Sequence, residues 1–263
     1  MFFKLKSFFN VVAISLGFYA CLTLTSCVSN SEKKDKAELF MHRGISLIEA
    51  GNLPGALKDL LSAQDLDPKN PIIQNNLGLV YFMREKLDIS IQHFTKAIEL
   101  NNSYTEARNN LSRVLIEKKK FKEAQSQLQI VMNDLTYGNQ EGANINQGLL
   151  YFNKGEFLKS QEAFLKTLQF NPENCLAQSF FGRAYLELNN TAKAAEALDR
   201  AVSLCQRELF DEPHFYSAIA HFRIGEKEKA KTRFNEIIKF YPKGKYKEKA
   251  RAMLDLIEKG TEL

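Results

Sequence analysis

The side chains that could do chemistry in this sequence of 263 residues are few. Its four cysteines are Cys21, Cys27, Cys175 and Cys205, and its four histidines are His42, His93, His214 and His221. None of them stands in a His-Glu-x-x-His or Cys-x-x-Cys setting, so no metal site is indicated. His214 and His221 read as helix-packing residues. The carboxylate pair Asp65 and Asp67 reads as solvated surface at a helix end. There is no glycine-rich phosphate loop after a strand and no strained nucleophile turn. No arrangement supports catalysis, and no cofactor or small-molecule substrate is implied. The chemistry left is that of the thiols.

The composition, 44% hydrophobic and 25% charged with 13 Gly and 6 Pro, suffices for a core and excludes collagen-like, mucin-like and multi-span membrane readings. The formal charge of +5 includes Lys4 and Lys6, and without the first 26 residues it would be +3, too mild to argue for nucleic acid. Those two lysines precede an apolar run from Phe8 to Leu24 and then small residues, the pattern of a secretory signal. The end of the run, Leu24-Thr25-Ser26-Cys27, resembles the bacterial lipobox, in which cleavage leaves the cysteine as first residue with a diacylglycerol on its sulfur. Residues 1–26 are then a signal peptide, Cys27 the lipidation site and 27–36 a flexible tether. The alternatives are a plain secretory signal or a single membrane anchor. Cys21 fits less well, because Tyr19 places a bulky ring at the middle of its site.

The elements that must position these groups are copies of one repeated unit, which fills the chain from Ala37 onward. The same pattern recurs in frames beginning at Ala37, Pro71, Thr105, Glu141, Cys175 and Asp211. The eighth place of each frame is small: Gly44, Gly78, Ser112, Gly148, Gly182, Ala218. So is the twentieth: Ala56, Ser90, Ala124, Ser160, Ala194, Ala230. The twenty-fourth is large and apolar: Leu60, Phe94, Leu128, Phe164, Leu198, Phe234. Two antiparallel helices that cross closely need this combination, with small residues where the backbones approach and a large one beside them. Gly51, Gly155 and Gly225 fall between the helices, where a left-handed turn is wanted, and Pro68, Pro172 and Pro242 come after the second helix.

The pattern resembles the tetratricopeptide repeat. The resemblance implies an all-α, right-handed α-solenoid of six TPR helix pairs over 37–244 (37–70, 71–104, 105–138, 141–174, 175–208, 211–244). Residues 245–263 form a C-terminal capping helix, with Ala250, Met253, Leu254 and Ile257 on one side and Lys245, Lys247, Lys249 and Arg251 outside. One departure puts packing in doubt: the fourth place, often aromatic in that family, is Phe40 here but Gln74, Arg108, Asn144, Gln178 and His214 elsewhere. Cys175 and Cys205 take the first and thirty-first places of one frame, at the same end of a helix pair. A disulfide and two buried thiols are both open there.

If the family's geometry carries over, a partner-binding groove is lined by Ile72, Asn75, Leu79, Phe82 and Met83 of the second frame, and by Asn109 and Arg113 of the third. The fourth frame adds Ile145, Leu149, Phe152 and Asn153, the fifth Arg183, and the sixth Phe215, Ile219, Phe222 and Arg223. As a set these suit an amphipathic segment of another protein, although single members could instead pack on the neighbouring repeat. Lipobox, short tether, six repeats and an extended third joint at Leu135 to Gln140 together are similar to the type IV pilus pilotins, the PilF, PilW and Tgl group. That resemblance implies a lipid-anchored outer-membrane protein facing the periplasm. Its partner would be an outer-membrane secretin subunit, whose localisation and assembly it promotes. Val28 after Cys27 fits outer-membrane sorting. The rival within the class is a scaffold for another envelope assembly complex.

Overall fold

One residue in every frame has a positive φ, always at the fifteenth place: Gly51 (73°), Glu85 (59°), Lys119 (58°), Gly155 (76°), Asn189 (56°) and Gly225 (86°). Each ends the first helix of its frame with a paired backbone closure, as where Glu85 N–H donates to the Phe82 carbonyl and Lys86 N–H to that of Tyr81. The bond from the sixteenth place back to the eleventh recurs in all six frames. Glycine takes this conformation freely, so three frames do without it at a local cost.

The computed structural model describes residues 31–205 and 210–259. Among them the regular elements are helices, with no strand. Helix α1 covers 31–49. After it come α2 (Leu53–Leu66), α3 (Pro71–Met83), α4 (Leu87–Leu100), α5 (Thr105–Glu117), α6 (Phe121–Asn133) and α7 (Gln140–Asn153). The remaining helices are α8 (Phe157–Phe170), α9 (Cys175–Glu187), α10 (Thr191–Cys205), α11 (Glu212–Arg223), α12 (Lys227–Phe240) and α13 (Lys247–Glu258). The fold is an all-α tetratricopeptide-type solenoid of helix pairs, and none of the described helices is long and apolar enough to cross a membrane. The expected signal peptide, 1–26, and the expected lipidation site, Cys27, lie outside the described residues. Of the expected tether, 27–30 lie outside the described residues and 31–36 are helical and exposed, since Glu32, Lys33, Lys34 and Lys36 are strong helix formers and Glu32 stands four residues before Lys36.

The chain divides into two compact units, residues up to Ala107 and residues from Arg108. In the first, Met41, Leu60, Ile73, Leu77 and Val80 form the core. In the second, Phe234, Ile237, Tyr246, Ala250 and Ile257 close the C-terminal end, with Met253 and Leu254 of α13 packed against them.

The small and large places meet as the close crossing requires. A Cβ added to Gly44, Gly78, Gly148 or Gly182 would come within 2.8 Å or less of the side chain at the twenty-fourth place, Leu60, Phe94, Phe164 or Leu198. Ser90 and Ser160, at the twentieth place, donate to the carbonyls of Gly78 (2.7 Å) and Gly148 (3.0 Å), so the crossing is hydrogen-bonded as well as packed.

The polar fourth places are buried, and most are matched across their own helix pair. Gln74 Oε1 pairs with His93 Nδ1 at 2.9 Å, Arg108 donates to Gln127 at 2.9 Å, and Gln178 donates to the Ala197 carbonyl at 3.0 Å. Their partners sit at the twenty-third place of the frame. His214 instead meets Glu236 at 3.0 Å and the Tyr241 hydroxyl at 3.1 Å. A hydrogen bond to a nearby partner offsets the burial cost that an aromatic side chain would avoid. Asn144 is the exception, its Oδ1 buried without a partner.

Candidate functional site

In the second unit the first helices of successive pairs line a cleft of about 340 Å³. Arg113, Ile116 and Glu117 come from α5, Lys119 from the turn after it, Leu149, Phe152 and Asn153 from α7, and Phe180 and Arg183 from α9. Glu212 of α11 and Lys245 and Tyr246 before α13 complete it. They gather because residues about a turn apart on each first helix share one face.

Arg183 is the centre of this cleft. Its guanidinium lies 4.6 Å from the Phe152 ring centroid, 4.5 Å from Phe180 and 4.2 Å from Tyr216. It is ion-paired with Glu212 Oε1, which also accepts the Tyr246 hydroxyl at 3.2 Å. Arg183 Nε is buried with no hydrogen-bond partner. Burial raises the Tyr246 phenol well above its ordinary value, and the neighbouring Glu212 carboxylate adds to it, so the hydroxyl stays a donor. Three rings and a carboxylate thus hold Arg183 in one orientation, and it acts as the floor of the site.

The sequence-predicted groove residues separate into four groups. Arg113, Leu149, Phe152, Asn153 and Arg183 are brought together in the cleft. Leu149 is buried, and Phe152 is held edge to face by Phe157 (5.4 Å) and Phe180 (5.2 Å). Phe215, Ile219 and Phe222 pack against the C-terminal core, with Phe215 stacked on Tyr246 at 4.8 Å. Asn109 is buried and accepts from Asn146 Nδ2 at 2.8 Å, while Ile145 is half-buried. In the first unit Asn75 is buried and Leu79 and Phe82 are half-buried, whereas Ile72 and Met83 are exposed, 42% and 46%.

An apolar pattern does not find Glu212, Lys119 or Lys245. Glu212 holds the second place of its frame, a groove place by the family's geometry, but its charge sets it apart from the apolar set. Lys245 belongs by sequence to a separate basic cap, yet it lines the same cleft as Phe152. Arg113 is offset by Glu117 at 3.2 Å and Arg183 by Glu212, so Lys119 and Lys245 set the sign of the cleft.

Cys175 and Cys205 are joined by a disulfide, with Cα atoms 5.1 Å apart, tying the start of α9 to the end of α10. His221 is buried between Asp199 (2.9 Å) and Glu226 (2.7 Å). Among the described residues no group of three or more His, Cys, Asp or Glu side chains could hold a metal ion.

Comparison with known proteins agrees with this construction. Tetratricopeptide family profiles match residues 44–84, 145–208 and 214–244. The type IV pilus assembly protein PilF of Pseudomonas aeruginosa is 24% identical over 169 residues, 61% of this chain and 67% of that protein. The crystal structure of PilW, a widely conserved type IV pilus biogenesis factor, superposes with a TM-score of 0.72 at 16% identity, covering 81% of this chain and 97% of that one. Cut9 in the APC/C Cut9–Hcn1 complex gives 0.75 at 18% identity, over 84% of this chain and 42% of that chain. At such identities the structural likenesses speak for the fold alone. The chain is a tetratricopeptide-repeat protein that resembles type IV pilus biogenesis factors.

Proposed function

We propose that this chain is a non-enzymatic assembly factor of a type IV pilus system. Lipidated at Cys27 and facing the periplasm from the outer membrane, it binds a secretin subunit and promotes its localisation and assembly. The observation that carries the reading is the agreement of a PilF-like sequence with a helix array matching almost the whole of PilW, in a chain whose leader ends in Leu24-Thr25-Ser26-Cys27. The alternative is a repeat scaffold for a different envelope complex.

The cleft around Arg183 supports a protein ligand. Its floor, Arg183 held on three aromatic rings, is prearranged, so little side-chain entropy is lost when a partner docks, and its open charges are Lys119 and Lys245. A partner segment with an apolar residue beside a carboxylate suits it. The test is reciprocal co-purification of the secretin subunit from solubilised envelope. The Lys119→Glu and Lys245→Glu double variant should recover at most about a tenth of the wild-type amount, because it reverses the cleft's open charges while leaving Arg183 and the three rings beneath it in place. Equal recovery of the subunit by both proteins would remove the cleft from the binding surface. Absence of the subunit from the wild-type sample favours the other envelope complex.

A further inference from the structure

Tyr81 and Tyr185 hold the same place, the eleventh, in their frames. Over Tyr81 lies the imidazole of His93, from the twenty-third place, with ring centroids 5.2 Å apart and planes within 9° of parallel. In the fifth frame the twenty-third place is Ala197, and a cleft of about 570 Å³ opens there. Phe181 and Tyr185 form its floor and Leu165 and Leu168 of α8 its apolar wall. The fourth frame also sets a tyrosine, Tyr151, opposite an alanine, but there two ammonium groups, Lys154 and Lys159, stand over the ring at 6.0 and 5.5 Å, where Tyr185 has one, Lys193 at 5.8 Å.

The rim carries charge in a definite order. Lys193 and Arg200 are seven residues apart on α10, about 10 Å along the helix. Glu196 lies between them and repels a carboxylate from the centre of the opening. The slot shares no lining residue with the cleft around Arg183. We propose that it takes an aromatic side chain of a partner polypeptide, seated on Tyr185 as His93 is seated on Tyr81, with Lys193 drawn off the Tyr185 ring by an acidic residue on one side of the incoming ring and Arg200 met by another on the other side. The repeat itself shows what fills this space, and the charge order selects the flanks. The inference is independent of which envelope complex the protein serves.

The chain has no tryptophan, so a tryptophan peptide reports its own binding. The probe is acetyl-Glu-Glu-Trp-Glu-Glu-amide, titrated by its emission against the purified full chain. Saturable binding is expected, at least about tenfold tighter than for the same peptide with Lys in place of Glu. Ala197→His, which rebuilds the pair seen in the second frame, should weaken binding at least about tenfold with helical signal and thermal midpoint retained. Ala197→Gln, the residue found at this place in the third frame, is the second variant should the first fold poorly. Lys119→Glu with Lys245→Glu should leave this peptide's binding unchanged, which separates the slot from the cleft. Unsaturable binding, or full binding by a folded Ala197 variant, overturns the proposal. So does a wild-type dimer in sedimentation that Ala197→His dissociates, because a second copy would then be the occupant.

Discussion

A Cβ on Gly148 would lie 2.7 Å from the ring of Phe164, closer than side chains approach. The pair joins α7 to α8 and recurs in kind through the frames, so it fixes the crossing of each helix pair. Ala218 beside Phe234 shows that one methyl group is tolerated with local adjustment. Gly148→Ala should therefore cost about 1 kcal/mol and Gly148→Val about 2–3 kcal/mol in chemical denaturation. Phe164→Leu should suppress part of the valine cost, which a double-mutant cycle reads as a coupling energy. Additive costs would mean that the two residues do not set the crossing.

Glu85 and Lys119 hold the left-handed turn at a place where three other frames use glycine. Relief of the Cβ clash should make Glu85→Gly more stable by up to about 1 kcal/mol, with Asn189→Gly gaining less because asparagine tolerates this conformation. Thermal midpoints of the two variants check the order. A fall in the midpoint of Glu85→Gly would show that the lost freedom of the unfolded glycine outweighs the relieved clash.

The Cys175–Cys205 bond closes a loop with a sequence separation of 30. Its loss through Cys205→Ser should cost about 3 to 4 kcal/mol by loop entropy, with the helices still formed. Thiol titration of the denatured, unreduced folded part should find neither cysteine reactive. Two reactive groups would mean that they rest as buried thiols.

His214 is buried, and its surroundings favour the neutral ring: Nδ1–H donates to Glu236 while Nε2 accepts from Tyr241. Burial lowers its pKa below the ordinary 6.5, the Glu236 carboxylate opposing in part. Below that value the unfolded chain binds more protons than the folded one, so stability falls as pH drops from about 7 to about 5. At lower pH, Asp199 continues the trend: burial opposes its ionisation, yet hydrogen bonds from Ser217, His221 and Arg233 hold its pKa below the ordinary value. His214→Gln should flatten the midpoint between about pH 7 and about pH 5. An unchanged slope in that window would place the acid sensitivity elsewhere.

The helix pairs were legible because their signal is local and periodic. The eighth and twenty-fourth places name both partners of each crossing, and Gly51, Gly155 and Gly225 mark the turns. Lys119 gave no such mark, since nothing in a lysine announces a left-handed turn. The polar fourth places were legible as a departure, but their solution was not. Gln74 needs His93 and Arg108 needs Gln127, nineteen residues away on the facing helix. The site was half legible for a similar reason. An apolar pattern finds Phe152 but cannot say that it is packed against Phe180 and capped by Arg183.

The proposed function is to promote secretin assembly from a lipid anchor at Cys27. The direct measurement is the amount of secretin multimer in outer membranes from cells lacking this chain, resupplied with wild-type protein or with Cys27→Ser. Wild type should restore the multimers, while the Cys27→Ser protein, released into the soluble periplasm, should leave most secretin unassembled or mislocalised. Undiminished multimers in cells without the chain would contradict the account.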